Sequence, residues 1–138
     1  MNFMGEIQKT VAQAKEVNGL DDLGGRLETA ANRLGEIALH IGQKAMSPDF
    51  KVAFAHALPF LYAMGDTIMA WMLLWRAVVA TQKLDGAKKR DVAFFAGQVK
   101  TAEFFINTEL PVTMGKMNAI ESGCTAALEI PDDGFGGI

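Results

Sequence analysis

Apolar positions recur along this chain at steps of three and four, the spacing of one helix face, and no segment reads convincingly as a strand. Four helical segments follow. In the first, Asn2 to Val17, the residues Met4, Ile7, Val11 and Ala14 fall on one side, and Glu6, Lys9, Gln13 and Lys15 take the rest. Asn18 and Gly19 punctuate its end, glycine accepting the left-handed backbone that closes a helix. The second opens on Asp21 and Asp22, carboxylates suited to capping free amides and to the positive end of a helix dipole. Leu23, Leu27, Ala30, Leu34, Ile37, Ile41 and Ala45 form its stripe, with Arg26, Glu28, Asn32, Arg33 and Gln43 on other faces. Gly24 and Gly25 weaken its first turn. Lys44 suits its last turn, and Ser47-Pro48-Asp49 caps and starts the next helix.

The third segment, Phe50 to Leu84, is apolar on nearly every face and carries both tryptophans. Its stripe of Phe50, Phe54, Leu58, Leu61, Gly65, Ile68, Met72, Trp75 and Val79, with Tyr62, Met69 and Leu73 beside it, predicts the core side of a central helix. A helix apolar all round lies inside a bundle or inside a membrane. Asp66 and Arg76 argue for the bundle, as does the longest uncharged run, Val52 to Gly65, which falls short of the roughly 18 residues that suggest a span. Pro59 removes one backbone hydrogen bond and crowds the carbonyl of Ala55, costing roughly 3 kcal/mol in a helix interior. Because the stripe keeps its phase across Pro59, one bent helix is expected.

After a turn at Asp85-Gly86-Ala87, the fourth segment runs from about Lys89 to Leu128. Its stripe is Val92, Phe95, Val99, Ala102, Ile106, Leu110, Met114, Met117, Ile120, Cys124 and Leu128, interrupted at Pro111 and ended by Pro131. Two long helices joined by a short turn pack antiparallel. The expected fold is therefore all-α, an up-and-down four-helix bundle with two long, proline-kinked antiparallel helices. Residues 1–130 form the bundle, and residues 131–138 form a flexible C-terminal tail.

A chain of 138 residues holds one core and has no room for a second. With 50% apolar and 21% charged residues it lies far from disordered or fibrous compositions. A net charge of −3 is of the wrong sign for a phosphate-backbone binder, so nucleic acid is not an expected partner. The lone Cys124 cannot form an intramolecular disulfide, and no Cys/His cluster suggests zinc. MNFMGEIQK lacks the basic start and apolar block of a secretory signal, leaving the cytoplasm as the expected location.

The polar residues assemble no catalytic set, and the expected catalytic, cofactor-binding and metal sites are none. Glu36 and His40 are helix neighbours at i, i+4, but the carboxylate-bridged metal sites of bundles need Glu-x-x-His twice. That pair reads as an exposed contact. His56 lies one turn before Pro59, and Tyr62 and Asp66 lie beyond it. Asp66, a carboxylate on an apolar helix, needs solvent or a partner, and a bond to a neighbouring helix is expected over a polar handle in a ligand groove. Lys88, Lys89 and Arg90 form a basic knot that reads as solvated rather than as a phosphate site such as one for a coenzyme A. The terminal Gly-Phe-Gly-Gly is not a dinucleotide fingerprint. Cys124 reads as a small buried side chain, and Trp71, Met72 and Trp75 as core or interface.

The last segment, RDVAFFAGQVKTAEFFINTELPVTMGKMNAIESG with its PDDGF end, resembles the closing helix of FAD-dependent acyl-CoA dehydrogenases that carry an additional C-terminal helical domain. The shared pattern is Asp91 before Phe94 and Phe95, then Lys100, Ala102, Phe104, Phe105 and Leu110-Pro111. SPDFKVAFAHALPFLYAMGDTIMAWMLLWRAVVA resembles the preceding helix, with a proline, a Tyr or Leu, a Gly and a Trp in that order. The resemblance covers essentially the whole chain. It implies a non-catalytic domain of an enzyme that oxidises an acyl-CoA between the α and β carbons, as in fatty acid β-oxidation, and passes electrons through FAD to an electron-transfer flavoprotein. The catalytic base and the flavin belong to a dehydrogenase body, so no such residue transfers here. The expected partner is that body, with roles in packing, substrate access or subunit association, a homodimer included. Two other readings are a stand-alone scaffold bundle that self-associates, and an acyl-chain binder with a dry tunnel near Met64, Met69 and Phe105.

Overall fold

The computed structural model describes residues 2–137, and among them all regular structure is helical. The helices are α1 (Phe3–Lys15), α2 (Asp21–Ala45), α3 (Phe50–Ala55), α4 (Ala57–Leu84), α5 (Lys89–Ser122) and α6 (Ala126–Glu129), followed by a 3₁₀ turn at Asp132–Phe135. Asn2 caps α1, its side chain accepting from the Gly5 amide at 3.2 Å. Asp21 and Asp22 lie inside the first turn of α2, where they meet the dipole without a side-chain cap bond.

Pairings across the helices fix their directions. On α4 and α5, Arg76 meets Gln98, whereas the earlier Asp66 meets the later Thr113 and Lys116, so these two run antiparallel. On α2 and α5, Arg26 and Thr29 lie against Leu110 and Met114 while Arg33 reaches Asn118 and Glu121, so these two advance together. Helix α1 folds back along α2, with Lys15 bonded to Glu28 at 2.6 Å. A Cβ on Gly24 would stand 3.3 Å from the Ala14 Cβ and 3.4 Å from the Val11 carbonyl. Glycine therefore lets α1 approach closely there.

The core lies in two clusters along the axis. One gathers Ile7, Val11, Leu27, Leu74, Ile106 and Leu110, from all four long helices. The other joins Leu34, Ile37, Ala63, Met117 and Ile120.

Four expectations are corrected. The segment Phe50 to Leu84 is two helices, broken at His56, rather than one bent helix. The break places Pro59 in the first turn of α4, where a missing N–H forfeits no intrahelical bond. Asp49, expected to cap, makes no side-chain cap bond, and the Ser47 hydroxyl accepts from the Asp49 amide at 3.1 Å instead. The fourth helix stops at Ser122, not Leu128, because Gly123 takes a left-handed φ of 63°. That is the conformation glycine adopts most cheaply at a helix end.

The fourth correction concerns which side of α4 is inside. The buried residues are Ala63, Thr67, Ala70, Leu73, Leu74, Ala77, Val78 and Ala80; Leu73 is inside as expected, whereas Phe54, Leu58, Leu61, Trp75 and Val79 of the expected core stripe are exposed. Helix axes approach according to the size of the side chains between them. With α1, α2 and α5 all against α4, the small residues go inward and the large ones are left outside. Of the expected fourth stripe the middle is buried on α5, but Val92 at its start and Cys124 and Leu128 beyond its end are exposed.

Candidate functional site

From Ala57 to Trp75, α4 carries a single charge, Asp66. That carboxylate is turned toward α5, accepting from the Thr113 hydroxyl at 2.7 Å and the Lys116 ammonium at 2.8 Å. What remains on the outside is Leu58, Leu61, Tyr62, Gly65 and Met69, all exposed. Phe54 of α3 is also 74% exposed. On α5 the outward positions Gly97, Thr101, Phe104, Thr108, Val112 and Gly115 are likewise exposed and uncharged. Scattered surface leucines are ordinary, but a contiguous apolar patch marks a contact site. By length and composition α4 is also apolar enough to cross a membrane. Its one early charge is spent on the bond to α5.

The other singled-out residues separate. Glu36 accepts from Arg33 at 2.9 Å rather than engaging His40. His40 and His56 both border a small crevice with Ile41, Val52 and Ile120, and the Nε2 atom of His56 is buried without a hydrogen-bond partner. Trp71 is an anchor, donating from Nε1 to the Thr10 hydroxyl at 2.8 Å with Phe3 edge-on at 5.8 Å. Trp75, by contrast, is half exposed. Lys88, Lys89 and Arg90 are exposed, with Arg90 3.4 Å from Asp91. Cys124 is exposed and not buried as expected, because it follows the Gly123 helix end and leaves the stripe's phase. Met64 and Phe105 pack on different clusters and Met69 faces outward, so these three do not converge on a tunnel.

Sequence reasoning missed the tie between α2 and α5. Arg33, placed on a solvent face by its spacing, bonds Glu121, Asn118 and Glu36 together. The Arg33 hydrogen bond holds the Glu121 carboxyl below its usual range, and Glu121 followed by Glu36 raises the guanidinium. Residues 88 positions apart carry no local spacing signal.

Dinucleotide phosphates are commonly cradled by a glycine-rich turn opening onto a helix N-terminus. The glycines near the end of this chain lie in and after the turn Asp132–Phe135, with no helix following among the described residues. They do not fit that cradle. Chemically, the arrangement can bury apolar surface against another body.

The sequence profile described as acetyl-CoA dehydrogenase C-terminal like matches residues 3–131. The chain belongs to this family. Among curated relatives, the acetyl-CoA dehydrogenase C-terminal-like chain is 31% identical over 98 residues to a broad-specificity linear acyl-CoA dehydrogenase of Mycobacterium tuberculosis, covering 70% of this chain and 16% of the relative. It is 28% identical over 94 residues to a butyryl-CoA dehydrogenase of Syntrophomonas wolfei, covering 67% of this chain and 15% of that protein. Both matches fall in the C-terminal region of the relative. The family assignment agrees with the resemblance read from the Asp91 to Pro111 pattern.

Proposed function

We propose that this chain is the non-catalytic C-terminal helical domain of an FAD-dependent acyl-CoA dehydrogenase. It docks on the dehydrogenase body through the uncharged outer face of α4. The observation that carries this reading is the row Leu58, Leu61, Tyr62 and Met69, apolar and uncovered, in a chain whose relatives are about six times the matched length. FAD and the acyl-CoA bind to the body, which delivers electrons to an electron-transfer flavoprotein in the cytoplasm. The domain contributes packing, subunit association or shaping of substrate access.

In this reading residues 2–130 form an up-and-down four-helix bundle of α1, α2, α4 and α5, bent at Pro111, and residues 131–137 form a flexible tail; Met1 and Ile138, the ends of the expected bundle and tail, lie outside the described residues. Helix α4 is a bundle helix and not a membrane span. The test is size-exclusion chromatography of the chain mixed with a dehydrogenase body lacking its own C-terminal helices. Co-elution that the paired change Leu61→Glu and Met69→Glu abolishes is expected. A dimer of the chain alone, with no complex, would turn the same face into a self-association surface and overturn the docking reading.

A further inference from the structure

At the other end of α4, away from the Leu58 to Met69 row, a cleft of about 330 Å³ opens between α4 and α5. Its walls are Trp75, Val79, Phe94 and Phe95, and its polar edge is Arg76, Lys83 and Gln98. The two phenylalanine rings meet edge-on at 5.6 Å. Phe94 stays 62% exposed and Trp75 50% exposed, so this aromatic surface faces the opening instead of filling it. Ligand sites in proteins are concave, mostly apolar and supplied with few polar groups, from about 300 Å³ upward.

Charge decides what such a ligand carries. No acidic residue lines the cleft. Among the described residues, neither Arg76 nor Lys83 has a carboxylate partner, although Arg26, Arg33 and Arg90 each do. Arg76 donates one hydrogen bond to the Gln98 side-chain oxygen, which orients the guanidinium and leaves further N–H groups free. From Arg76 to Asp91 the sequence holds the cations Arg76, Lys83, Lys88, Lys89 and Arg90 against only Asp85 and Asp91, in a chain of net charge −3. The basic end of an acidic protein therefore coincides with its aromatic cleft.

We infer that this cleft binds an anion-headed apolar ligand, of which a fatty carboxylate is the simplest. The chain lies against Trp75, Val79 and Phe95, and the head meets Arg76 and Lys83. A soluble fatty acid and an anionic lipid in a bilayer share this chemistry. The inference stands apart from the docking reading, because its residues lie beyond the row proposed to meet the dehydrogenase body.

The experiment titrates the 138-residue chain with dodecanoate and, separately, with dodecanol, following the two indole N–H signals by NMR. The Trp75 signal should shift on dodecanoate while that of Trp71, bonded to Thr10, stays in place. Dodecanoate should bind about tenfold or more tightly than dodecanol, the scale of a hydrogen bond to a charged group. The exposed double variant Arg76→Gln with Lys83→Gln should erase that preference and leave dodecanol binding unchanged. Equal affinities for the two probes, or a preference that survives the double variant, would overturn the inference. So would sedimentation with phosphatidylglycerol vesicles in the absence of dodecanoate binding, which would assign the cleft to a membrane surface.

Discussion

Helices α2 and α4 are of similar length and feed the same core, yet their outer faces are opposites. Outside α2 lie Arg26, Asn32, Glu36 and Gln43, with Asp22 paired to Arg26 at 2.8 Å and Arg33 paired to Glu36 at 2.9 Å. Outside α4 lie Leu58, Leu61, Tyr62 and Met69. A helix whose back is charged declares which side is inside, and α2 is buried along the stripe its sequence announces from Leu23 to Ile37, though not at its end, where Ala45 is exposed. A helix apolar all round does not. Its inner side is chosen by how closely neighbours can approach, and its outer side is left apolar for a partner to cover. The two surfaces thus separate what folds the domain from what the domain meets.

The largest effects should be equal on the two helices. Leu27→Ala and Leu74→Ala both empty fully buried positions and should each cost about 2–5 kcal/mol of stability by denaturant titration. A loss under about 1 kcal/mol at Leu74 would mean that α4 packs through a different side. Smaller, and opposite in sign between the helices, are the effects at two glycines. Gly24→Leu should cost about 1–3 kcal/mol by overpacking against α1. Gly65→Ala, whose added Cβ meets nothing within 4 Å, should stabilise by about 0.5–1 kcal/mol.

Acid should weaken the tie between α2 and α5. The Glu121 carboxyl is held low by Arg33, so its contribution is present above the unfolded value, about 4.3 for a glutamate, and is lost as pH falls through the folded one. Wild type should therefore lose more stability than Arg33→Gln between neutral pH and pH 3, whereas Tyr62→Ser on α4 should leave the profile unchanged. Least of all, Leu61→Gln should change stability by no more than about 0.5 kcal/mol, since Leu61 is already exposed.

The all-helical class, the end of α2 and the bond from Asp66 to a neighbouring helix were legible because each rests on local spacing or on the cost of an isolated charge, whereas the break at His56 was not. The side of α4 that is buried was not. The three- and four-residue steps ran through Phe54, Leu58 and Trp75, whereas close packing selected Ala63, Ala70 and Ala77. The stop at Gly123 was obscured by apolar residues that continue past it in sequence but not in helical phase. Of the outer surface, its apolar character could be read from Phe50 to Trp75, and its exposure could not, because exposure depends on where α1, α2 and α5 lie. Arg33 met Glu121 only through the fold.

The most direct test places the same charge on either face. Leu61→Glu on α4 and Asn32→Glu on α2 should unfold at the same denaturant concentration as wild type, while binding to the dehydrogenase body, measured by calorimetry, is lost in the first and kept in the second. Loss of binding in the α2 variant with retention in the α4 variant would contradict the account.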